Sequence, residues 1–303
     1  MRMLVVGSVA FDDIKTPFGE KKNVLGGAAS HFSIASAPLI EPKIIAVVGS
    51  DFPEKYVKYL GNFGIDTSGI ERSSETTFHW SGFYEHDMAV AHTRSTELGA
   101  FATFEPKLTE EDKQRQVLFL ANIDPVIQYK VLKQMKNVQL VGMDSMNFWI
   151  ESKKKDLMKV IKQVDILFLN DAEVRMLAGE ASLIKAAKMI QKQGPGVVIV
   201  KKGEHGVTAI TKNEIFVSPS YPTEKVIDPT GAGDSFAGGC MSYLVANTQP
   251  GKKITSEVLR RAVAWGSATA SFAVEGFSTS GIAKADKKSI TRRVEVLKGL
   301  SAF

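Results

Sequence analysis

The residues best placed to do chemistry lie between Val226 and Gly239, in the run Val-Ile-Asp-Pro-Thr-Gly-Ala-Gly-Asp-Ser-Phe-Ala-Gly-Gly. Pro229, Gly231 and Gly233 end an extended stretch, and the apolar pattern through Tyr243, Leu244 and Val245 continues as a helix beginning near Ala232. Glycines at the mouth of a helix let a ligand approach the backbone, and the unpaired amides of the first turn point outward. With the positive end of the helix dipole behind it, such a turn attracts an anion. A phosphoryl group whose charge spreads over its outer oxygens during transfer is a fitting guest. Asp234 lies in the same turn, where the dipole should favour its ionised form, and a carboxylate there can accept the proton of an attacking hydroxyl. Asp also decorates helix starts without doing chemistry, and the residue taken alone would favour that reading.

Two strand ends carry further candidates. Asn170-Asp171-Ala172-Glu173 follows the apolar run Ile166 to Leu169, and Asn with Glu three residues later is first of all a helix-capping pattern. Lys201-Lys202-Gly203-Glu204-His205-Gly206 follows Val197 to Val200, where a solvated lysine is the plain reading of Lys201. Other nucleotide and hydrolase signatures are missing. Phe236 stands where a dinucleotide fingerprint needs its third glycine, and no G-x-x-x-x-G-K-[ST], H-E-x-x-H or G-x-S-x-G occurs. His79, His86, His92 and His205 lack an accompanying cysteine or a close His-Asp-Glu cluster, so they are read as solvated or packed rather than metal-bound.

These segments need a scaffold that brings strand ends together. Short β-branched runs, each followed by a helical pattern, recur at Leu4 to Val9, Ile44 to Val48, Val117 to Ala121, Leu140 to Met143, Ile166 to Leu169 and Val197 to Val200. That alternation predicts a mostly parallel sheet with helices on both faces. Between Lys153 and Val164, Leu157, Met158, Val160, Ile161 and Val164 fall on one helical face. From about Thr76 to Phe104 the alternation breaks into strands joined through Glu85-His86-Asp87, a small β insertion in which Phe78, Trp80 and Tyr84 have the spacing to share a face. The chain of 303 residues is 44% hydrophobic and carries a net charge of +5 spread along its length, which gives no basis for nucleic-acid binding. A single cysteine, Cys240, excludes a disulfide framework and points to a reducing cytoplasm. No stretch approaches the roughly 18 apolar residues of a membrane helix, and the amino terminus reads as a strand rather than a signal segment.

The run Asp228 to Phe236 resembles the carboxy-terminal signature of the ribokinase-like (PfkB) carbohydrate and nucleoside kinases. The resemblance implies one α/β domain over residues 1–303, a mostly parallel central sheet with helices on both faces and a small β lid, here mainly about 76–104. It implies ATP and Mg²⁺, with Asp234 as base, Gly231-Ala232-Gly233 as anion hole and Thr230 beside the nucleotide. Four further segments match in order. Gly7-Ser8-Val9-Ala10-Phe11-Asp12 resembles the first-strand motif, giving Asp12 the role of holding substrate hydroxyls, with Asp13 the fallback. Gly26-Gly27-Ala28-Ala29-Ser30-His31 resembles the paired-glycine motif beneath the substrate, which places Gly26, Gly27 and His31 there. Asn170 and Glu173 match the N-x-x-E motif that organises the ATP phosphates and Mg²⁺, Glu173 acting through water, and Lys201, Gly203 and Gly206 match the turn that touches the nucleotide.

The sequence also departs from the family pattern. His31 stands where many sugar kinases place Asn, Trp265 where relatives often carry a small polar residue near the base, and no Arg follows Asp144-Ser145-Met146-Asn147-Phe148-Trp149. The implied activity is transfer of the ATP γ-phosphoryl group to a hydroxyl of a sugar or sugar derivative. The alternatives are a nucleoside kinase of the same fold and a ligand-binding protein on a kinase scaffold. A nicotinamide-dependent oxidoreductase lacks its fingerprint. By the same analogy a monovalent cation near Asp228 and Thr230 and a homodimer through the lid are options; a small-molecule substrate is the expected partner, with no nucleic acid and no membrane.

Overall fold

The computed structural model describes residues 1–301. Strand β1 (Met3–Val6) starts a nine-stranded sheet that continues through β4 (Lys43–Val48), β5 (Asp66–Arg72), β8 (Val117–Leu120), β9 (Leu140–Asp144), β10 (Ile166–Asn170), β11 (Val197–Lys201), β12 (Val207–Thr211) and β13 (Ile215–Ser218). The spatial order is β13-β12-β11-β10-β9-β8-β1-β4-β5. From β5 to β11 all pairings are parallel, and β12 and β13 close one edge antiparallel. The central strands are buried on both faces, which is why they read as unbroken apolar runs.

Helices cover both faces. Residues of α1 (Ala28–Ser36), α8 (Ala232–Asn247) and α9 (Ser256–Ala273) form one core with Phe119 and Phe168, and Phe32 stacks on Phe119 with ring centres 3.9 Å apart. The same side takes Leu60 of α2 (Glu54–Gly61) and Ile290 of α10 (Lys287–Leu300). The other core is built from α3 (Pro125–Gln134), α4 (Asn147–Ser152), α5 (Lys154–Ile161), α6 (Asp171–Ala178) and α7 (Leu183–Gln191). Leu157, Val160 and Ile161 bury the face of α5 that the apolar spacing predicts. No helix is long and apolar enough to cross a membrane among the described residues.

The chain turns from β1 outward in both directions, to β4 on one side and to β8 on the other. The carboxyl ends of strands beside such a reversal form the crevice where open α/β sheets bind ligands.

A second, four-stranded sheet has the order β3-β2-β6-β7. Its strands β6 (His79–Tyr84) and β7 (Ala91–Glu97) form the hairpin expected between Thr76 and Phe104. The other half comes from the amino terminus, where β2 (Ala10–Thr16) and β3 (Gly19–Gly26) form a hairpin and β2 runs parallel to β6. The first strand therefore ends at Val6 rather than Val9, and Asp12 sits on the second sheet. The three aromatics divide their roles. Phe78 packs on Phe101, the Trp80 indole N–H donates to Thr93, and Tyr84 reaches Thr230.

Buried Gln128 of α3 ties the strand ends that form the crevice. Its side-chain amide donates to the carbonyls of Ala121 after β8 (2.9 Å) and Asp144 at the end of β9 (3.1 Å). Gln128→Leu leaves both carbonyls without that donor and should destabilise the protein by about 1–3 kcal/mol in urea unfolding. An unchanged midpoint would show that the tie is dispensable.

Candidate active site

The turn that opens α8 is braced from below by Asp228. One oxygen of this fully buried carboxylate accepts the Thr230 amide (2.9 Å) and the other accepts the Ser278 amide (2.8 Å). Gly231 then takes a left-handed conformation (φ 74°) as the residue before the helix. A side chain there would also collide with His31, since a Cβ would lie 2.3 Å from its Nδ1. Glycine is thus demanded by the backbone and by the imidazole beneath it. The amides of Gly233 and Asp234 lie in the first turn, where no preceding carbonyl of the helix takes them.

Asp234 faces a cluster assembled from three neighbouring strands. Asp144 ends β9, Lys201 ends β11, and between them β10 ends in Asn170, which caps α6. Lys201 Nζ lies 2.6 Å from Asp144 Oδ2. Its side chain is only 16% exposed, so the solvated-lysine expectation is overturned. Burial alone would push the ammonium down, but Asp144, Glu173 and Asp234 together hold it above its ordinary value. The reciprocal capping box of Asn170 and Glu173 is present in full, with contacts of 2.7 and 2.8 Å. The same Glu173 is buried in the cluster, and capping and cluster membership hold together. Burial pushes its carboxyl up to about 7, with Asp144 and Asp234 adding to the rise and Lys201 opposing it.

Asp234 is likewise raised to about 7, by burial first and then by Asp144, against the pull of Lys201. The expectation that the helix dipole keeps it ionised is corrected here, because desolvation outweighs a half-charge at the helix end. Three carboxylates share one ammonium, and this surplus of negative charge suits a divalent cation. Among the described residues no three acidic, His or Cys side chains converge closely enough to ligate a metal directly. Gly203 opens and Gly206 closes a short turn after β11, with the Lys202 amide donating to the Gly206 carbonyl (2.9 Å).

Asp12 enters from the second sheet. A Cβ on Gly26 would lie 2.1 Å from its carboxyl, so the glycine is there to admit this side chain. Burial, then the charges of Asp228, Asp234 and Asp13, raise Asp12 to about 8. Asp13 points to the opposite side of the strand and is engaged by the Asn23 amide (2.8 Å) and by His79 (3.0 Å), so it is not the residue at the site. Gly27 and the start of α1 are held by Ser8, whose hydroxyl accepts the Ala28 amide (3.0 Å). His31 is buried with neither ring nitrogen bonded to protein, and burial pushes it down to about 4, leaving it neutral. Trp265 is away from Asp234. It packs on Tyr243, nine residues farther along α8, a rise of roughly 13 Å.

Sequence reasoning missed two members of the site. Tyr84 brings its hydroxyl within 3.2 Å of Thr230 Oγ1, joining the second sheet to the α8 turn. Asp144 was noted only as the first residue of the segment in which the family Arg is missing.

A profile described as "pfkB family carbohydrate kinase" matches residues 5–285. A cytidine kinase from Thermococcus kodakarensis is 30% identical over 248 residues, covering 79% of this chain and 87% of the relative. The crystal structure of the Methanocaldococcus jannaschii nucleoside kinase superposes with a TM-score of 0.78 at 24% identity, over 98% of this chain and 99% of that one. A putative ribokinase II from E. coli, solved in complex with ATP and Mg²⁺, superposes with a TM-score of 0.79 at 20% identity, over 97% of this chain and 99% of that one.

The raised carboxyl of Asp12 makes stability depend on pH. Its folded value of about 8 lies above the ordinary 3.8, so the folded state holds the proton more tightly. That contribution is complete below about 4 and is lost as pH rises through about 8. Asp12→Asn, which cannot ionise, should therefore melt above the wild type at pH 9, with the gap closing as pH falls to about 4. Equal melting temperatures at both pH values would mean that Asp12 is not a buried, proton-holding carboxyl.

Proposed function

In a chain that belongs to the pfkB family of carbohydrate kinases, we propose that the cleft between the two sheets transfers the γ-phosphoryl group of ATP to a ribose hydroxyl of a nucleoside, with Asp234 as the base. One observation carries the chemistry. Asp234 stands in the anion-binding turn itself, within electrostatic reach of Asp12 on the facing sheet. The choice of a nucleoside over a free sugar follows from the relatives named cytidine kinase and nucleoside kinase, and from His31, a neutral buried imidazole in place of the Asn common in sugar kinases.

Asp12 holds the acceptor. With a proton on its carboxyl near neutrality it both donates to and accepts from neighbouring hydroxyls, which fixes a diol better than a bare carboxylate. Asp234 takes the proton of the attacking hydroxyl, and a carboxyl raised to about 7 is a stronger base than an ordinary one. The Gly233 and Asp234 amides meet the charge of the group in transfer. Glu173 and Asn170 face the phosphates, and Mg²⁺, when bound, neutralises phosphate charge there. Gly203, Gly206 and Thr230 border the nucleotide. The second sheet acts as the lid, and the Tyr84–Thr230 contact brings it down on the turn, excluding water that would otherwise hydrolyse ATP.

Acceptor-dependent ADP formation, measured with ATP and Mg²⁺ against cytidine, inosine, adenosine, ribose and fructose, tests the substrate class. A nucleoside should exceed ribose by about 10²-fold in kcat/KM, since a site built to pair a base leaves polar groups unmet by a bare sugar. Ribose or fructose turning over as well as any nucleoside would restore the sugar reading.

Asp234→Asn keeps the side-chain shape and removes the proton acceptor. Turnover should fall by about 10² to 10⁴. Stability should hold or rise above pH 7, because a buried ionisable group is gone. Turnover within a few-fold of wild type in a folded variant overturns the base assignment.

A further inference from the structure

Lys201 is a poor candidate for a purely structural residue. A buried ion pair gives little net stability, because the desolvation of both partners offsets their attraction, and an apolar pair of similar volume serves a core as well. The ammonium has three hydrogens, and its one hydrogen bond among the described residues goes to Asp144. It lies 3.1 Å from where a Cβ of Gly233 would stand, directly against the anion-binding turn. Two donors therefore remain in a space whose other groups, the amides of the α8 turn, also await an anion.

Asp144 is held more firmly still. Its Oδ1 accepts the Ser145 amide (2.8 Å), its carbonyl accepts the Gln128 side chain (3.1 Å), and its Oδ2 takes Lys201. The pair spans two strands across the end of β10, so its geometry is fixed by the sheet rather than by a loop. Holding Lys201 on Asp144 has a second effect. No hydrogen bond joins Lys201 to Asp234 among the described residues, so the carboxylate that must take a proton is not neutralised by the only buried ammonium beside it.

We propose that Lys201 is a catalytic residue that contacts the phosphoryl group in transfer, and that Asp144 is the positioning residue that fixes its ammonium against the Gly231–Gly233 turn. The proposal rests on the kinase reading above. In the step, the acceptor oxygen forms a bond to the γ-phosphorus and the bond from that phosphorus to the bridging oxygen breaks. ADP leaves with the electron pair of the broken bond and the hydroxyl proton passes to Asp234. Lys201 neither gains nor loses a proton; it supplies a fixed positive charge to oxygens whose negative charge rearranges during transfer.

The test compares wild type, Lys201→Arg and the neutral double variant Asp144→Asn/Lys201→Met. The readouts are melting temperature, kcat and KM on the best acceptor, and calorimetric affinity for ADP and for the non-hydrolysable β,γ-imido analogue of ATP. The double variant removes the ion pair whole, and Glu173 and Asp234, which also face Lys201, can hold protons instead, so the fold should survive. Its kcat should drop by roughly 10²-fold, the loss typical of one fixed donor to a developing charge, and its preference for the imido analogue over ADP should disappear. Lys201→Arg keeps the ion pair but displaces the donor, so stability should hold while kcat falls by about tenfold or more. A folded double variant with wild-type kcat and wild-type analogue preference overturns the proposal. If the double variant does not fold, the Arg variant decides, and retained kcat there overturns the proposal too. A wild-type protein that binds neither nucleotide and turns over no acceptor would instead overturn the kinase reading itself, which separates the two failures.

Discussion

The site is governed by an imbalance of charge. Asp144, Glu173 and Asp234 surround one buried ammonium, Asp12 approaches from the second sheet, and Asp228 lies beneath the α8 turn. Carboxylates crowded out of water repel one another and lose hydration, so they stay close only if some keep their protons or a cation joins them. The elevated values at Asp12, Glu173 and Asp234 are three expressions of that one constraint. A folded chain tolerates such an arrangement only where a rigid scaffold imposes it.

The scaffold does so by placing strand ends. Parallel strands β9, β10 and β11 terminate side by side, which sets Asp144, Asn170 and Lys201 in one row at the carboxyl edge of the sheet. The α8 turn is brought over that row by buried Asp228 and by the packing of α8 on α1, where a Cβ on Gly238 would strike the Phe32 carbonyl at 2.2 Å. Asp12 arrives from the other sheet because Gly26 offers no side chain to oppose it. Small residues at these contacts are therefore conditions for bringing mutually repelling groups within reach.

What the sequence revealed followed the distance over which its information is written. The glycine turn that opens α8 and its aspartate occupy nine consecutive residues, and the strand-helix alternation repeats along the whole chain, so both could be read directly as structure. The capping box spans four residues and was equally plain. The Asp144–Lys201 pair joins residues 57 apart and depends on which strands become neighbours, a fact that no local pattern carries. The first half of the second sheet was hidden for another reason. Residues 19–23 of β3 are exposed and include Glu20, Lys21 and Lys22, so an edge strand of this kind lacks the apolar alternation that marks a strand in sequence. The ionisation of Asp234 was misjudged because the dipole is visible from a helix start, whereas burial and the nearby Asp144 are products of the tertiary fold.

The same constraint links ligand binding to proton position. With Asp234 and Glu173 both near 7, a small change in local charge shifts their protons, about 1.4 kcal/mol moving a titration by one pH unit. A cation placed among these carboxylates lowers their proton affinity, whereas an anionic ligand without its cation raises it. In the proposed reaction the base is therefore matched to the state of the cleft. It holds its proton more tightly when phosphate charge is uncompensated and releases it when that charge is balanced. Among the described residues Lys201 is the only fixed positive charge buried within the cluster, and its pairing with Asp144 rather than Asp234 leaves the Asp234 carboxyl responsive to what binds.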